Sequence, residues 1–310
     1  MVVTRTQFLS LLEPKLRDIK SDADYPRYTP LYPQLYDRVL TSRKKTEHAF
    51  DYAGLGDFNV KGEGNTVTYT DPISGAEMSF THVRWSNGYK ITQEMMDHDQ
   101  YSEIRKLEQE LRLALDDFLE VRGHLLLNNA FGTTNSNGFL ATDFRGEALI
   151  STSHTRIDAG TAQSNRPSTD ANLDWTSLAN GIIQFDLWKD NRGRVIRGGP
   201  RRLIIHPNDQ MTARELLGSM QKPGTPNNEI NELRGMLSGE PLVTPYLTDT
   251  NAWFLKGDST DAVWYWDTVA GGRFASEDDF DLEVIKRKGI VGFSHGHLRW
   301  FNWYGSSGTT

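Results

Sequence analysis

The most constraining feature of the sequence is one long segment with helical periodicity, residues 91–132. Its apolar side chains recur at steps of three and four residues, and charged side chains fill the opposite face. A helix from Ser102 to Phe131 would be about 45 Å long, because each residue adds about 1.5 Å. Helices in globular proteins average only about 11 to 12 residues. The buried stripe of this predicted spine helix consists of Ile104, Leu107, Leu111, Leu115, Phe118 and Leu125.

Residues near both ends of this segment are of the types that begin and end helices. Thr92 and Asp99 can each cap an N-terminus, and Gly132 offers the left-handed position that commonly follows a helix. The rest of the chain is dominated by strand and loop patterns. The sequence therefore predicts an α+β chain organised around a single long helix.

Composition excludes several classes of protein. The 310 residues are enough for one large domain or two ordinary ones, and the lack of cysteine excludes disulfides and thiolate zinc sites. A net charge of −7 argues against a protein that coats nucleic acid, because such proteins neutralise phosphates with a basic face. We find neither a signal-peptide pattern nor an apolar stretch of about 18 residues. These features predict a soluble cytosolic protein that binds no membrane.

The segment before the spine helix has two parts. Residues 1–50 begin with a short helical pattern and then carry Pro26, Pro30 and Pro33, which predict an extended arm. Within 51–90, alternation at 66–70 and again from Met78 predicts a β-hairpin. Its apolar face would consist of Val67, Tyr69, Met78 and Phe80. Because an isolated two-stranded hairpin is marginally stable, we expect a neighbouring subunit to cover this face.

The segment after the spine helix begins with a polar stretch, residues 133–172, that shows little periodicity. Leu173–Asp190 then has the pattern of a helix. Arg201–Pro207 reads as a buried strand, and Asn208 can cap the helix that follows it. Several further strands are predicted between residue 241 and the C-terminus, separated by glycine and aspartate turns.

This order of elements resembles the major capsid proteins of tailed bacteriophages, most closely the major head subunits of Mu-like phages. The resemblance rests on four motifs: ITQEMMDHDQY before the spine, RRLIIHP before a helix, EPLVTPYLTDTNAWFLKGD, and the closing IKRKGIVGFSHGHLRWFNWYG. It implies an N-terminal arm at 1–50 and an extended hairpin loop, or E-loop, at 51–90. It further implies a peripheral domain at 91–199 that resumes at 275–310, and an axial domain at 200–274.

The same resemblance implies a function. The chain would be a structural protein without catalysis or cofactor, self-assembling through hexamers and pentamers into an icosahedral head shell around the phage genome. It would enclose DNA without sequence-specific binding and reside in the virion after assembly in the host cytoplasm. We also expect a separate scaffolding protein, because only about fifty residues precede the hairpin region and prolines interrupt their helical pattern.

Candidate metal ligands are few. Asp97, His98 and Asp99 are adjacent, so on a helix their side chains diverge and a solvated helix entry is the simpler interpretation. His295 and His297 would share one face of a strand, but the sequence offers no identifiable third ligand. We therefore predict no metal site.

Other chemistry-bearing patterns also have plainer interpretations. The aromatic groups at 264–266 and 300–304 could stack on sugars, but aromatic residues are common in strands, so packing is favoured. Glycine pairs at 54 and 56 and at 62 and 64 lack the lysine and helix of a phosphate-binding loop and indicate turns. No nucleophile-elbow, zinc-protease or kinase motif is present.

Two rival functions remain open at this stage. An encapsulin-like compartment shell would have the same architecture but would hold cargo enzymes, which an N-terminal helix binds in that family. A metal-dependent hydrolase, from a different class, would use His295, His297 and a carboxylate. Bound metal would favour the hydrolase, and closed shells of uniform size would exclude it.

Overall fold

The computed structural model describes residues 29–98, 103–223 and 229–309, with the backbone alone for 103–105. The helices in this part of the chain are α1 Gln93–Asp97, α2 Glu103–Gly123, α3 Leu125–Asn128, α4 Trp175–Leu187 and α5 Gln210–Gly218. The strands are β1 Arg38–Ser42, β2 Thr46–Ala53, β3 Ile73–Thr81, β4 Val83–Thr92, β5 Phe139–Leu140, β6 Pro200–Ile205, β7 Leu242–Val243, β8 Trp253–Gly257, β9 Ala262–Asp267, β10 Arg273–Asp279, β11 Val284–His297 and β12 Trp303–Ser306.

A six-stranded sheet is built around the long strand β11. Towards its start, β11 pairs in antiparallel fashion with β10 on one side and β4 on the other. Towards its end, it pairs with β9 and with the short β5. The sheet is completed by β1, which lies parallel to β9 with Arg38 opposite Val263. One strand thus links elements from most of the chain.

The second sheet has four strands in the order β12-β8-β6-β7. Successive residues of β6 point to opposite faces, as the pleat of a strand requires. Ile204 belongs to a core shared with Trp264 and Phe293 of the large sheet, whereas Leu203 and Ile205 belong to a core that includes residues of α4 and α5. The buried strand predicted at Arg201–Pro207 is confirmed as β6, which ends earlier, at Ile205; Leu203, Ile204 and Ile205 are fully enclosed.

The helix predicted over Leu173–Asp190 is also confirmed. It begins after Asp174, whose side chain accepts from the backbone N–H of Ser177 while the Ser177 hydroxyl accepts from the N–H of Asp174. This reciprocal capping box satisfies two donors that a helix start leaves unpaired. Leu178 and Phe185 face the second core, so the 3.6-residue periodicity identified the buried side correctly.

The prediction of one continuous spine helix to Phe131 is wrong. Helix α2 ends at Gly123, and the short α3 begins at Leu125. The imidazole of His124 is held by the Glu120 carbonyl at 2.7 Å and by the Thr244 hydroxyl at 2.9 Å. These contacts fix His124 at the interruption between α2 and α3. Helical periodicity in the sequence does not reveal such contacts.

The end of the spine also differs from the prediction. Gly132 is not among the glycines with positive φ, so it does not provide the left-handed cap. Helix α3 ends instead before Asn129, whose φ of −106° and ψ of 16° depart from helical values. Thr92 caps a helix as predicted, but the helix is the separate α1: the Thr92 hydroxyl accepts from the N–H of Met95 at 3.3 Å. Asp99 lies outside the described residues.

The predicted buried stripe of the spine is only partly buried within the subunit. Leu111 is buried, whereas Leu107, Leu115, Phe118 and Leu125 are half-buried, and the side chain of Ile104 is outside the described part. The more fully enclosed side chains are those of Leu119, Leu126, Leu127 and Ala130. Burial therefore concentrates at the C-terminal end of the spine, where the core shared by the two sheets lies.

The predicted hairpin pairing is wrong as well. Strand β3 pairs with β2, with Ala49 opposite Met78 and Glu47 opposite Phe80. Residues 66–70 lie in the connecting segment 54–72, which contains no strand. The reason is that the Met78 face of β3 packs into the subunit beside Ala49, whereas a strand at 66–70 would have no such support.

The described part of the predicted arm lies on its own subunit. A 3₁₀ helix at Tyr32–Gln34 is followed by Leu35 and Tyr36, both buried in the core between the sheets, and then by β1. Residues 1–28, including the predicted N-terminal helical pattern, lie outside the described residues. The sheets also cross the predicted domain boundaries, because β9 joins the large sheet and β12 joins the four-stranded one.

The polar stretch 133–172 is held in place by side-chain hydrogen bonds. The amide of Asn165 donates to the carbonyls of Leu149 at 2.8 Å and Trp303 at 2.9 Å, and it is fully buried. Phe139, Ala141 and Ile150 from the same stretch belong to the core shared by the sheets. In this stretch, hydrogen bonds from polar side chains hold an irregular backbone that forms few regular backbone hydrogen bonds of its own.

Candidate functional site

The most conspicuous surface feature is the loop between β2 and β3, residues 54–72. One guanidinium ties its two ends together, because Arg192 donates to the carbonyl of Gly54 at 2.7 Å and to that of Asp71 at 2.9 Å. Arg194 adds a hydrogen bond to the carbonyl of Leu55 at 2.6 Å. The base of the loop is therefore anchored to the turn after α4.

The tip of this loop exposes large apolar side chains. Their relative exposures are 107% for Phe58, 103% for Val60, 55% for Val67 and 90% for Tyr69. Sequence reasoning selected Val67 and Tyr69 but missed Phe58 and Val60, because it searched for alternation rather than for apolar residues without a neighbouring strand. Groups of exposed apolar side chains such as this one often mark surfaces that contact another molecule.

The other two residues selected for a subunit contact are buried in this subunit. Met78 is 8% exposed and Phe80 is fully enclosed, and both pack with Phe144, Val263 and Leu298. The expectation that all four side chains share one uncovered face is therefore wrong for Met78 and Phe80. Their burial follows from the pairing of β3 with β2.

A second protruding turn joins β10 to β11. Phe280 and Leu282 in this turn are strongly exposed, and both were missed from the sequence. Asp279 at the end of β10 forms an ion pair with Lys286 of β11 at 2.5 Å across the ladder. The hydrogen bond from Lys286 lowers the pKa of the Asp279 carboxyl group.

His295 and His297 are fully buried in β11 and do not meet a carboxylate. Nδ1 of His295 lies 2.8 Å from the hydroxyl of Tyr36, and both ring nitrogens of His297 lack a hydrogen-bond partner within the described chain. Burial lowers the pKa of each imidazole to about 3. The arrangement proposed for a metal-dependent hydrolase is therefore not formed by these two histidines.

Asp97 and His98, which were also weighed as metal ligands, are exposed. The Asp97 carboxylate accepts a hydrogen bond from Gln93 one turn earlier. Trp264, Trp266 and Trp303 are buried and belong to the core between the sheets, which confirms packing rather than a sugar platform.

A different group of potential metal ligands was missed. Asp143, Glu147 and His154 each place one ligand atom within 4.8 Å of the others, and they are the group of this kind found among the described residues. Glu147 follows Asp143 across a turn in which Gly146 has a φ of 76°. The ligand types are spread over a polar stretch without periodicity, so their proximity could not be predicted from the sequence.

Comparison with known proteins identifies the family. The model of a family described as phage capsid protein matches residues 75–304. The chain belongs to the phage capsid protein family. As a capsid protein it forms a subunit of a phage head shell, with the role of a major capsid protein. No curated protein sequence is significantly similar to the chain.

Solved structures show that the capsid protein has the tailed-phage capsid fold. The structure of Mycobacterium phage Adephagia matches 100% of this chain and 99% of that chain, with a TM-score of 0.58 and 10% identity. The capsid of Myoviridae phage XM1 matches 96% of this chain and 98% of its own, with a TM-score of 0.55 and 10% identity. The capsid of cyanophage P-SCSP1u covers 90% and 88%, with a TM-score of 0.56 and 12% identity.

The predicted mixture of helix and sheet and the capsid resemblance are thus confirmed. None of the helices in the described part of the capsid protein has the length and apolar character needed to cross a membrane. The loop 54–72, with its anchored base and exposed apolar tip, is the candidate functional surface.

Proposed function

We propose that the capsid protein assembles through hexamers and pentamers into an icosahedral head shell that encloses the phage genome, and that loop 54–72 clamps a neighbouring subunit. The observation that carries this proposal is the combination of an anchored base with an uncovered apolar tip. Arg192 holds the two ends of the loop together, while Phe58 and Tyr69 at the tip remain in solvent. A monomer gains nothing from such an arrangement.

The free energy available at this tip is sufficient for a repeated contact. Burying one large apolar side chain contributes on the order of 1.5 to 3 kcal/mol, at about 25 cal/mol per Å². Ordering the loop and the side chains offsets part of this gain. Because every subunit would make the same contact, even a modest net gain at one loop accumulates over the shell.

The proposed partners follow from charge and sequence. A net charge of −7 fits a shell that encloses DNA without sequence-specific binding. We further propose a separate scaffolding protein, assembly in the host cytoplasm, and a structural role without catalysis or a required cofactor. The division into a peripheral domain, 91–199 with 275–310, and an axial domain, 200–274, stays a prediction, as does closer kinship to Mu-like head subunits.

Electron microscopy of the purified protein, alone and co-expressed with scaffolding candidates, tests assembly. We expect closed shells of uniform size that contain DNA when produced during infection. Shells filled with a cargo enzyme would instead support the encapsulin-like alternative. A chain that remains a monomer at high concentration with every scaffolding candidate would contradict the proposal.

Paired variants test the loop. Phe58→Ser with Tyr69→Ser removes the apolar tip, whereas Phe58→Leu with Tyr69→Phe preserves its apolar character as a matched control. We expect both double variants to unfold at the same temperature as the unaltered monomer, because neither side chain is buried in the subunit. Only the serine variant should lose the sedimenting, assembled fraction. Normal assembly of that variant would show that the tip is not a clamp.

A further inference from the structure

The acidic and histidine residues in the polar stretch form a compact cluster beneath the surface. His154 is fully buried, Asp143 is nearly so, and Glu147 is half-buried. One ligand atom from each lies within 4.8 Å of the other two. Two carboxylates and an imidazole are therefore gathered where solvent has little access.

The protonation of His154 is set by its neighbour Asn165. The Asn165 amide nitrogen donates to two backbone carbonyls, which fixes the orientation of the amide. Its oxygen must then accept, and it receives the N–H of Ser151 at 2.8 Å and Nε2 of His154 at 2.9 Å. In the neutral imidazole Nε2 thus carries the proton, and Nδ1 presents a lone pair.

That lone pair faces another acceptor. Nδ1 of His154 lies 3.2 Å from Oε2 of Glu147. The Glu147 carboxylate already accepts from the backbone N–H of Thr155 at 3.0 Å and from its hydroxyl at 2.8 Å. Two acceptors in contact repel each other unless a positive charge lies between them.

The geometry suits a metal ion at this place. Two ligands of a tetrahedral ion, each at about 2.1 Å, lie about 3.4 Å apart, close to the separation of Nδ1 and Oε2. Oδ1 of Asp143 accepts from the N–H groups of Arg145 and Glu147, which orients that carboxylate. Arg145 itself forms an ion pair with Asp51 at 3.7 Å.

A second buried imidazole, that of His297, has no hydrogen-bond partner within the described chain. His297 is fully buried, neither of its ring nitrogens has a hydrogen-bond partner in the described chain, and His154 acts on it electrostatically. Buried polar atoms without partners are costly. His297 is therefore a buried side chain whose hydrogen-bonding capacity is not used by the described chain.

We propose that Asp143, Glu147 and His154 bind one divalent transition-metal ion, with Zn²⁺ as the preferred species and water completing its coordination. Imidazole favours Zn²⁺ over Mg²⁺, which prefers oxygen ligands and retains several waters. The ion would join the turn at 143–147 to the segment that begins at His154. His154 stacks on Trp300 at a ring distance of 4.5 Å, so the ion would also fasten the polar stretch to the chain between β11 and β12.

Metal binding to the full-length, unassembled chain tests the site. The protein is stripped with a chelator, dialysed, and titrated with Zn²⁺ alone while binding is measured by calorimetry and by elemental analysis. We expect one Zn²⁺ per chain, no displacement by a hundredfold excess of Mg²⁺, and a higher unfolding temperature in the presence of Zn²⁺. Because assembly is not measured, the result is independent of the proposed shell function.

Variants assign the ion to this cluster. Glu147→Gln and Asp143→Asn retain hydrogen-bonding capacity but remove a charged ligand, and each should weaken Zn²⁺ binding at least tenfold. Asp158→Asn, in the same stretch and paired with Arg156, is the matched control and should bind as the unaltered chain does. Circular dichroism of each variant establishes that it is folded. No stoichiometric binding, or equal binding by all three variants, would overturn the proposal.

Discussion

The hydroxyl oxygen of Tyr36 and Nδ1 of His295 lie 2.8 Å apart in the core between the two sheets. The same hydroxyl lies 2.8 Å from the carbonyl oxygen of Gly123. Since a carbonyl can only accept, it receives the hydroxyl proton, and Nδ1–H of His295 donates to the phenolic oxygen. One side chain thereby joins the segment before β1, the end of the spine helix and the central strand β11.

We expect Tyr36→Phe to destabilise the subunit by about 2 to 6 kcal/mol. The change leaves a buried donor on His295 and a buried acceptor on Gly123, and each unpaired group costs about 1 to 3 kcal/mol. Denaturant unfolding of the monomer measures the change. Tyr69→Phe, at an exposed position, is the control and should be neutral; equal stability of both variants would show that the hydroxyl of Tyr36 contributes nothing.

Stability should fall as the pH is lowered through the ordinary pKa of histidine. Burial, with a smaller effect of Arg122, lowers the pKa of His295 from 6.5 to about 3 in the folded chain. The unfolded chain therefore binds more protons between these values, and the stabilisation is lost progressively as pH falls below about 6.5. At pH 5 the loss from this residue is roughly 2 kcal/mol.

The pH prediction is checked with His295→Asn, which retains a polar atom near Nδ1 but cannot titrate. The free energy of unfolding is measured for both proteins at pH 7 and pH 5. The variant should lose less stability over this interval than the unaltered chain does. An identical loss would mean that His295 does not take up a proton on unfolding.

Substituting Phe80 should destabilise the monomer, whereas substituting Tyr69 should not, although both side chains were predicted to share one face. Phe80→Ala should cost about 3 to 5 kcal/mol, because the ring is enclosed by Phe144, Val263 and Leu298. Tyr69→Ala should leave the unfolding temperature unchanged, because the side chain is 90% exposed. Comparable destabilisation by both changes would place Tyr69 in a contact within the subunit.

Gly123→Ala should destabilise a helix that alanine would ordinarily favour. A Cβ added at Gly123 would lie 2.3 Å from Cβ of Tyr32, so the segment before β1 must move. Gly132→Ala is the control, because its Cβ would meet nothing nearer than 3.8 Å, at the Asn129 carbonyl oxygen. The unfolding temperature should fall for Gly123→Ala alone. A higher unfolding temperature for this variant would show that Tyr32 moves aside without cost.

Local patterns predicted the elements whose formation depends on local forces. The enclosed residues of β6 form a continuous apolar run, and α4 starts at a recognisable cap at Asp174. The partner of β3 could not be predicted in this way, because residues 66–70 alternate as convincingly as any strand. The choice of β2 depends on Met78 and Phe80 reaching a core formed by distant residues.

The candidate sites likewise could be predicted only where local sequence patterns determine them. Val67 and Tyr69 were selected from the alternation at 66–70, and their exposure depends on the absence of a partner strand, which only the folded chain reveals. The approach of His154 to Glu147 depends on a turn at Gly146 and on the buried amide of Asn165. Neither determinant produces periodicity, so the sequence alone singled out the more regularly spaced His295 and His297 and, with no third ligand to name, predicted no metal site.

The length of β11 has a mechanical consequence. At about 3.3 Å per residue, Val284–His297 extends roughly 45 Å from the exposed turn at Phe280 to the core around Trp264. A strand is already almost fully extended, because a chain reaches at most about 3.6 Å per residue, so β11 can lengthen only slightly under load. A force applied at the turn by an adjoining subunit would therefore be carried along this axis towards the centre of the molecule and shared with the paired strands β10, β4 and β9, while the sheet remains free to bend across it.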